Sequence, residues 1–307
     1  MIIAAGLSPA WQRILVLDSF AVGAVNRAVE VHECASGKVL NVGRALHALN
    51  AECRTISPVG GIPGRAIREE FKRDGIDAVW IDAPAPTRVC TTVLDRRNGA
   101  TTELVEESAP LGEEVMTRFQ EELQSQVSAA SCAILTGSLP AGVPADCYLQ
   151  AIAGTSAQLI LDLRGAEMQA MLRLEPFVVK PNRDELAHTV RRDLDSNAAL
   201  ESAMRELNAA GAEWVVVTDG PGVVRASHAN ELLHVSPPQV ATVNPIGCGD
   251  CLAAGLAVAQ DDGLSFADAL RFAVAAAARN ATELLPARLE RAAVQELASR
   301  IQVSSGG

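Results

Sequence analysis

Short, continuous apolar runs set between helix-period segments constrain the fold of this chain more than anything else in it. Ile2–Ala5, Cys132–Leu135, Leu159–Asp162, Phe177–Val179 and Trp214–Thr218 read as strands buried on both faces, because they do not alternate. Helix-period segments cover 38–49, 64–74, 111–128, 144–153, 183–190, 197–210, 250–260 and 266–284. Strands separated by helices need right-handed crossovers, which lay helices on both sides of a mostly parallel sheet. The predicted fold class is therefore α/β, three layers around a mostly parallel central sheet. Ligands bind such sheets beyond the carboxyl ends of the strands. The punctuation there is Thr136-Gly137-Ser138-Leu139-Pro140, Lys180-Pro181-Asn182 and Thr218-Asp219-Gly220-Pro221-Gly222.

Two regions break the alternation. Residues 13–33 and 87–107 are β-type with no helix between their strands, and the second carries Asn98-Gly99, a strong hairpin signal. They predict a small antiparallel β lid standing off a main domain made of 1–12, 34–86 and 108–307. A sheet covered on one side leaves an apolar face for a second copy, so a homodimer through the lid is expected. Only the tail Val303-Ser304-Ser305-Gly306-Gly307 reads as disordered.

Composition narrows the function classes. With 307 residues, 49% of them hydrophobic, the chain can fill one large core and a small subdomain. A net charge of −11 argues against a nucleic-acid or anionic-membrane partner. The alanine-rich stretches at 251–259 and 272–278 are too short to span a bilayer. Seven cysteines, an odd number with no secretion-type leader, predict free thiols and a cytoplasmic location.

The segment that carries chemistry is Asn244-Pro245-Ile246-Gly247-Cys248-Gly249-Asp250-Cys251, running into Leu252-Ala253-Ala254-Gly255-Leu256. Two glycines, an acid and then small apolar residues read as a loop entering a buried helix. Such a junction aims free N–H groups and the positive end of the helix dipole at one spot, which suits a phosphate. Asp250, in the first turn, can take a proton from a hydroxyl beside that phosphate. The bland alternative is a glycine-rich turn whose aspartate caps the helix. Cys248-Gly249-Asp250-Cys251 also spells C-x-x-C. A redox fold would place that motif near a first strand, and a zinc site would need two further ligands that five scattered histidines do not supply.

The chain resembles the ribokinase-like PfkB carbohydrate kinases, and within them the phosphosugar kinases of the 1-phosphofructokinase and tagatose-6-phosphate kinase type. The likeness rests on Leu7-Ser8-Pro9-Ala10, on Ser36-Gly37-Lys38-Val39-Leu40-Asn41-Val42 set against G-G-K-G-x-N-V, and on Thr87-Arg88. Gly137-Ser138-Leu139-Pro140-x-Gly142-Val143, Lys180-Pro181-Asn182-x-x-Glu185-Leu186 and the Gly247–Asp250 loop complete it, in the family's order. The resemblance implies a ribokinase-like three-layer fold with a β lid, ATP and Mg²⁺ as cofactors, and a phosphorylated ketose as substrate. Gly37 lets backbone approach the sugar, Lys38 and Arg88 hold a phosphate already on the acceptor, and Asn41 hydrogen-bonds a sugar hydroxyl. Lys180 and Asn182 correspond to contacts with ATP phosphates, Thr218, Gly220 and Gly222 to the nucleotide-edge turn, and Asn280 to an approach to the adenine. Glu185 corresponds to an acid that holds Mg²⁺ through water. Asp250 is then the base, and the amides of Gly247, Cys248, Gly249 and Asp250 stabilise the moving phosphoryl group.

Several departures bear on the substrate. Gln12 stands where the family usually has an aspartate that accepts bonds from sugar hydroxyls, and Ser36 replaces a glycine. Pro245 and Cys248 replace the commoner Thr and Ala, and Arg164 in Asp162-Leu163-Arg164-Gly165 offers another phosphate contact. Kinase chemistry with a shifted acceptor pocket is the expectation. The alternatives are a kinase of an unphosphorylated sugar or nucleoside, against which Lys38 and Arg88 argue, and a silent ligand-binding relative, against which Asp250 and Glu185 argue.

Overall fold

The computed structural model describes residues 1–306. β1 (Ile2–Ala5) opens the chain, β2 (Ala10–Leu17) and β3 (Glu30–Ser36) form a hairpin, and α1 (Lys38–Ala48), β4 (Cys53–Val59), α2 (Gly61–Arg73) and β5 (Ala78–Asp82) follow. A second hairpin, β6 (Arg88–Asp95) and β7 (Thr101–Val105), precedes α3 (Glu113–Val127), β8 (Cys132–Thr136), α4 (Leu149–Ile152), β9 (Gln158–Asp162) and α5 (Gly165–Met171). Then come β10 (Val178–Val179), α6 (Arg183–Val190), α7 (Asn197–Ala209), β11 (Trp214–Val217), β12 (Val224–His228) and β13 (Glu231–Val235). The chain closes with α8 (Cys248–Asp261), α9 (Phe266–Ala281), α10 (Arg291–Ala298) and β14 (Val303–Ser305).

The main sheet has ten strands in the order β14-β13-β12-β11-β10-β9-β8-β1-β4-β5. From β11 to β5 every pairing is parallel, and β12, β13 and β14 add an antiparallel edge. Side chains of α1, α8, α9 and α10 pack one face, and those of α3 to α7 pack the other. Ile2–Ala5 is fully buried along its length, as a strand covered on both sides must be. The chain leaves β1 for β4 on one side and returns to β8 on the other, so strand order reverses there and a crevice opens at the carboxyl ends. No helix among the described residues is long and apolar enough to cross a membrane.

Three expectations need correction. The 303–307 tail is not irregular throughout, because Val303–Ser305 pairs with β13 and Gly306 N–H donates to the Leu232 carbonyl; Gly307 lies outside the described residues. The 144–153 segment is helical only over Leu149–Ile152, since Pro144 opens a turn closed by the Cys147 N–H. The lid sheet, ordered β3-β2-β6-β7, consists of two antiparallel hairpins, yet the β2–β6 pairing that joins them is parallel.

The lid strands also run further than 13–33, from Ala10 into Ser36, which puts Gln12 and Ser36 on the lid sheet itself. Register places Gln12 beside Cys90 and Val105, and Ile14 beside Thr92 and Glu103, all on one face. On that face Ile14, Val16 and Leu94 pack against Leu284 and Leu285, which holds the lid over the crevice.

Candidate active site

The crevice is a cleft of about 1000 Å³ running from the lid to the β11 edge. At its centre α8 begins. Gly247, the N-cap, has φ +85, and a Cβ there would lie 3.0 Å from Pro286 Cβ, so both conformation and crowding call for glycine. Asn244 ties the loop down: its Oδ1 accepts from Ile246 N–H at 3.1 Å and its Nδ2 donates to Leu284 O at 2.8 Å. Cys248 N–H donates to Pro245 O at 3.3 Å, whereas the amides of Gly247, Gly249 and Asp250 have no backbone acceptor. Three amides rather than four thus stay free at the positive end of a fourteen-residue helix, a cradle of the kind that suits an anion.

Asn280 sits away from the cleft lining. It is fully buried and braces the cradle from behind. Its Nδ2 donates to Ile246 O at 2.8 Å and its Oδ1 accepts from Ala287 N–H at 2.6 Å. The sulfurs of Cys248 and Cys251 lie 3.3 and 3.4 Å from the two ends of the same amide, and all seven cysteines are free.

Asp250 is 5% exposed, and its Oδ2 accepts from Asn41 Nδ2 at 2.8 Å. Burial, with the charge of Asp162, pushes its carboxyl up to about 6, while Lys38, the Asn41 bond and Lys180 pull the other way. A carboxylate so placed is ionised near neutral pH yet basic enough to take a hydroxyl proton. Asn41, expected to bond a sugar hydroxyl, lines the cleft with each end of its amide already engaged once: its Oδ1 accepts from Ser36 Oγ at 3.1 Å and its Nδ2 donates to Asp250.

Beside the cradle lies a charge cluster whose hub, Asp162, is only 1% exposed. Its Oδ1 takes Lys38 Nζ at 3.1 Å and Lys180 Nζ at 3.3 Å, and its Oδ2 takes Thr136 Oγ1 at 3.2 Å. Burial alone would raise this carboxyl, but Lys180 and Lys38 hold it below the usual range. Lys38 also reaches Glu185 Oε1 at 2.9 Å. Lys38, the first residue of α1 after Gly37 with φ +85, therefore belongs to this cluster and reaches Asp162 at the carboxyl end of β9. Lys180 Nζ lies 3.3 Å from where a Gly249 side chain would begin, so the lysine pair and the amide cradle face one another. Glu185 and Asn182 form a capping box on α6, with Asn182 N–H on Glu185 Oε2 at 2.9 Å. A carboxylate at the mouth of the cleft, already carrying two hydrogen bonds, fits a hydrated Mg²⁺ held through water better than one ligated directly.

The two ends of the cleft differ. At the end away from the lid, Thr218, Gly220, Pro221, Pro237, Ala277 and Ala278 make a mostly apolar slot, whereas Gly222 does not line it and sits in a turn bonded to Asp219 O. Under the lid, Gln12 Nε2 donates to Thr92 Oγ1 at 2.7 Å. Arg88 donates to the carbonyls of Ser8, Glu106 and Pro9 at 3.0, 3.1 and 3.4 Å, which engages three of its five N–H groups. Arg164 is exposed at the start of α5 and does not line the cleft.

Two residues escaped the sequence reading. Asp162, at the carboxyl end of β9, was legible as a position, but its hub role depends on two lysines brought from 124 and 18 residues away. Glu103 lines the lid end of the cleft across from Thr92, and only the inward parity of β7 could have marked it.

Residues 11–288 match the pfkB family carbohydrate kinase profile. The chain belongs to the pfkB family of carbohydrate kinases. It is accordingly an ATP-dependent sugar kinase, and the three-layer fold with a lid is ribokinase-like. The kinase is similar to a putative phosphofructokinase from Staphylococcus aureus, at 25% identity and a TM-score of 0.80 over 100% of this chain and 99% of that one. A possible 1-phosphofructokinase from Thermotoga maritima superposes with a TM-score of 0.90 at 18% identity over the whole of both chains. The ribokinase of Thermotoga maritima does so at 0.77 and 20% identity, covering 98% of this chain and 100% of that one.

Proposed function

We propose that this kinase moves the γ-phosphoryl group of ATP onto a hydroxyl of a ketose phosphate, such as fructose 1-phosphate or tagatose 6-phosphate, by direct in-line transfer with Asp250 as base. The observation that carries the reading is the Asp250 carboxylate, raised to about 6 and set at the rim of three unpaired amides that face Lys38 and Lys180. Asp250 takes the proton of the acceptor hydroxyl as its oxygen bonds to the γ-phosphorus. The bond from that phosphorus to the bridging oxygen breaks and ADP leaves. The amides of Gly247, Gly249 and Asp250 and the two ammonium groups hold the charge on the phosphoryl oxygens during transfer. Glu185 would hold a hydrated Mg²⁺, which would further neutralise the triphosphate.

On the acceptor side, Arg88 keeps two N–H groups for the phosphate of the sugar, and Glu103 and Gln12 offer oxygens to its hydroxyls. A second reading, an unphosphorylated sugar acceptor, is favoured by one observation: among the described lid-strand residues that line the cleft, Arg88 is the one cation and Glu103 is an anion. Turnover of MgATP against ketose phosphates and free ketoses separates the two, and Asp250→Asn should abolish transfer while nucleotide binding persists. We also infer a homodimer through the outer lid face, where Val31 and Leu104 are 51% and 59% exposed beside the Arg13–Glu33 ion pair. Light scattering that gives a monomer mass at micromolar concentration would refute it.

A further inference from the structure

Ser36, Asn41 and Asp250 form a buried chain of hydrogen bonds that the transfer chemistry alone does not require. Their exposures are 1%, 2% and 5%, and the two bonds measure 3.1 and 2.8 Å. An ionised carboxylate only accepts, so Asn41 must present Nδ2 to it, and Oδ1 then faces the other way into protein. A buried amide oxygen without a donor is costly, and Ser36 Oγ is the donor that meets it. Ser36 makes no other side-chain hydrogen bond among the described residues, so its hydroxyl is free to serve this one.

We propose that Ser36 is a positioning residue for Asp250, acting through Asn41: its hydroxyl locks the Asn41 amide in the orientation that donates to the carboxylate. The proposal rests on the assignment of Asp250 as base. Its consequence appears within each turnover. Once Asp250 has taken the acceptor proton, the Asn41 bond loses its charge assistance, and the amide would be free to turn. The Ser36 bond keeps it in place, so the site is already organised when the proton departs. The other charged groups facing Asp250 are Asp162 from β9, Lys38 from α1 and Lys180 beyond β10, and none of them touches Ser36. They stay constant when Ser36 is changed.

The sign follows from the bond. Donation by Asn41 favours the anion, so weakening it raises the pKa of the base and moves the acid limb of kcat/KM to higher pH. Asn41→Ala should move the limb up by about one pH unit, the equivalent of one hydrogen bond to a charged group. Ser36→Ala should move it by roughly half as much and lower kcat, with the KM for ATP unchanged. In the Asn41→Ala background, Ser36→Ala should add nothing, because its route to the base is gone. Thermal unfolding of each variant checks that the fold is intact. An unmoved acid limb in folded Ser36→Ala overturns the proposal. So does an effect confined to the acceptor KM and equal in both backgrounds, since Ser36 would then touch the sugar directly. Turnover surviving Asp250→Asn is a separate outcome that overturns the base assignment, and the relay with it.

Discussion

Glu70 offers a sharp test of how the lid is joined to the main domain. Its carboxylate is 4% exposed and takes three donors: Arg44 Nη2 at 2.8 Å, Arg288 Nη2 at 2.9 Å and the Ala35 amide at 2.7 Å. Arg44 is 2% exposed, lies over the Phe71 ring and has two further nitrogens without partners. Replacing Glu70 with Met removes the charge and keeps the volume. Arg288 is half-buried and keeps Asp74 at 2.7 Å, so its loss is small. Arg44 keeps only the Ala35 carbonyl, at 2.8 Å, and becomes a buried charge without a counter-ion. Stranding such a partner costs about 3–5 kcal/mol, and the orphaned Ala35 amide adds about 1 kcal/mol. A total of about 4–6 kcal/mol is a large part of a typical domain's stability. Urea denaturation should show it as a lower midpoint with an unchanged slope. Removing both charges, Arg44→Met with Glu70→Met, should recover much of the loss, because apolar side chains can replace a buried ion pair. A single-variant loss under about 1 kcal/mol would refute the reasoning, since it would mean that Arg44 reaches water or another acceptor. Ala35 leads directly into Ser36 and Gly37, so the KM for the acceptor should rise as well.

Two further outcomes follow from the site. Activity needs ionised Asp250, raised to about 6, so kcat/KM should fall about tenfold per pH unit below that value and level off above it; a profile flat down to pH 5 would remove Asp250 as base. Glu103→Gln keeps the size of the side chain but replaces one carboxylate oxygen with an amide donor. It should raise the acceptor KM about tenfold and leave the KM for ATP alone, as loss of one hydrogen bond to a charged group predicts; equal effects on both substrates would place Glu103 outside the acceptor site.

Much of the architecture was legible because burial on both faces leaves a plain trace. Ile2–Ala5 and Trp214–Val217 are apolar throughout, and no amphipathic element reads that way. β4 and β12 escaped notice because Ser57, Arg225 and Ser227 are buried polar residues that break an apolar run; the two serines donate to Gly6 O and Asn208 Oδ1, tertiary contacts that a periodicity cannot show. The tail strand β14 escaped for a related reason: its pairing with β13 comes from the neighbour, not from its own composition.

The site divides along the same line. The sequence by itself determined the glycine-rich entry to α8, the aspartate in its first turn and the family motifs, because each is written in a few adjacent residues. Only the tertiary structure decided which groups meet. It set Lys38 against the Asp162 hub and placed Asn280 behind the loop that enters α8. It made Asn41 a partner of Asp250, 209 residues away, and brought Glu103 under the lid. The physical reason is that hydrogen-bond partners and desolvation belong to positions in space. A motif states which donors and acceptors a segment carries, and the packing of the sheet, helices and lid determines which of them remain free for a substrate.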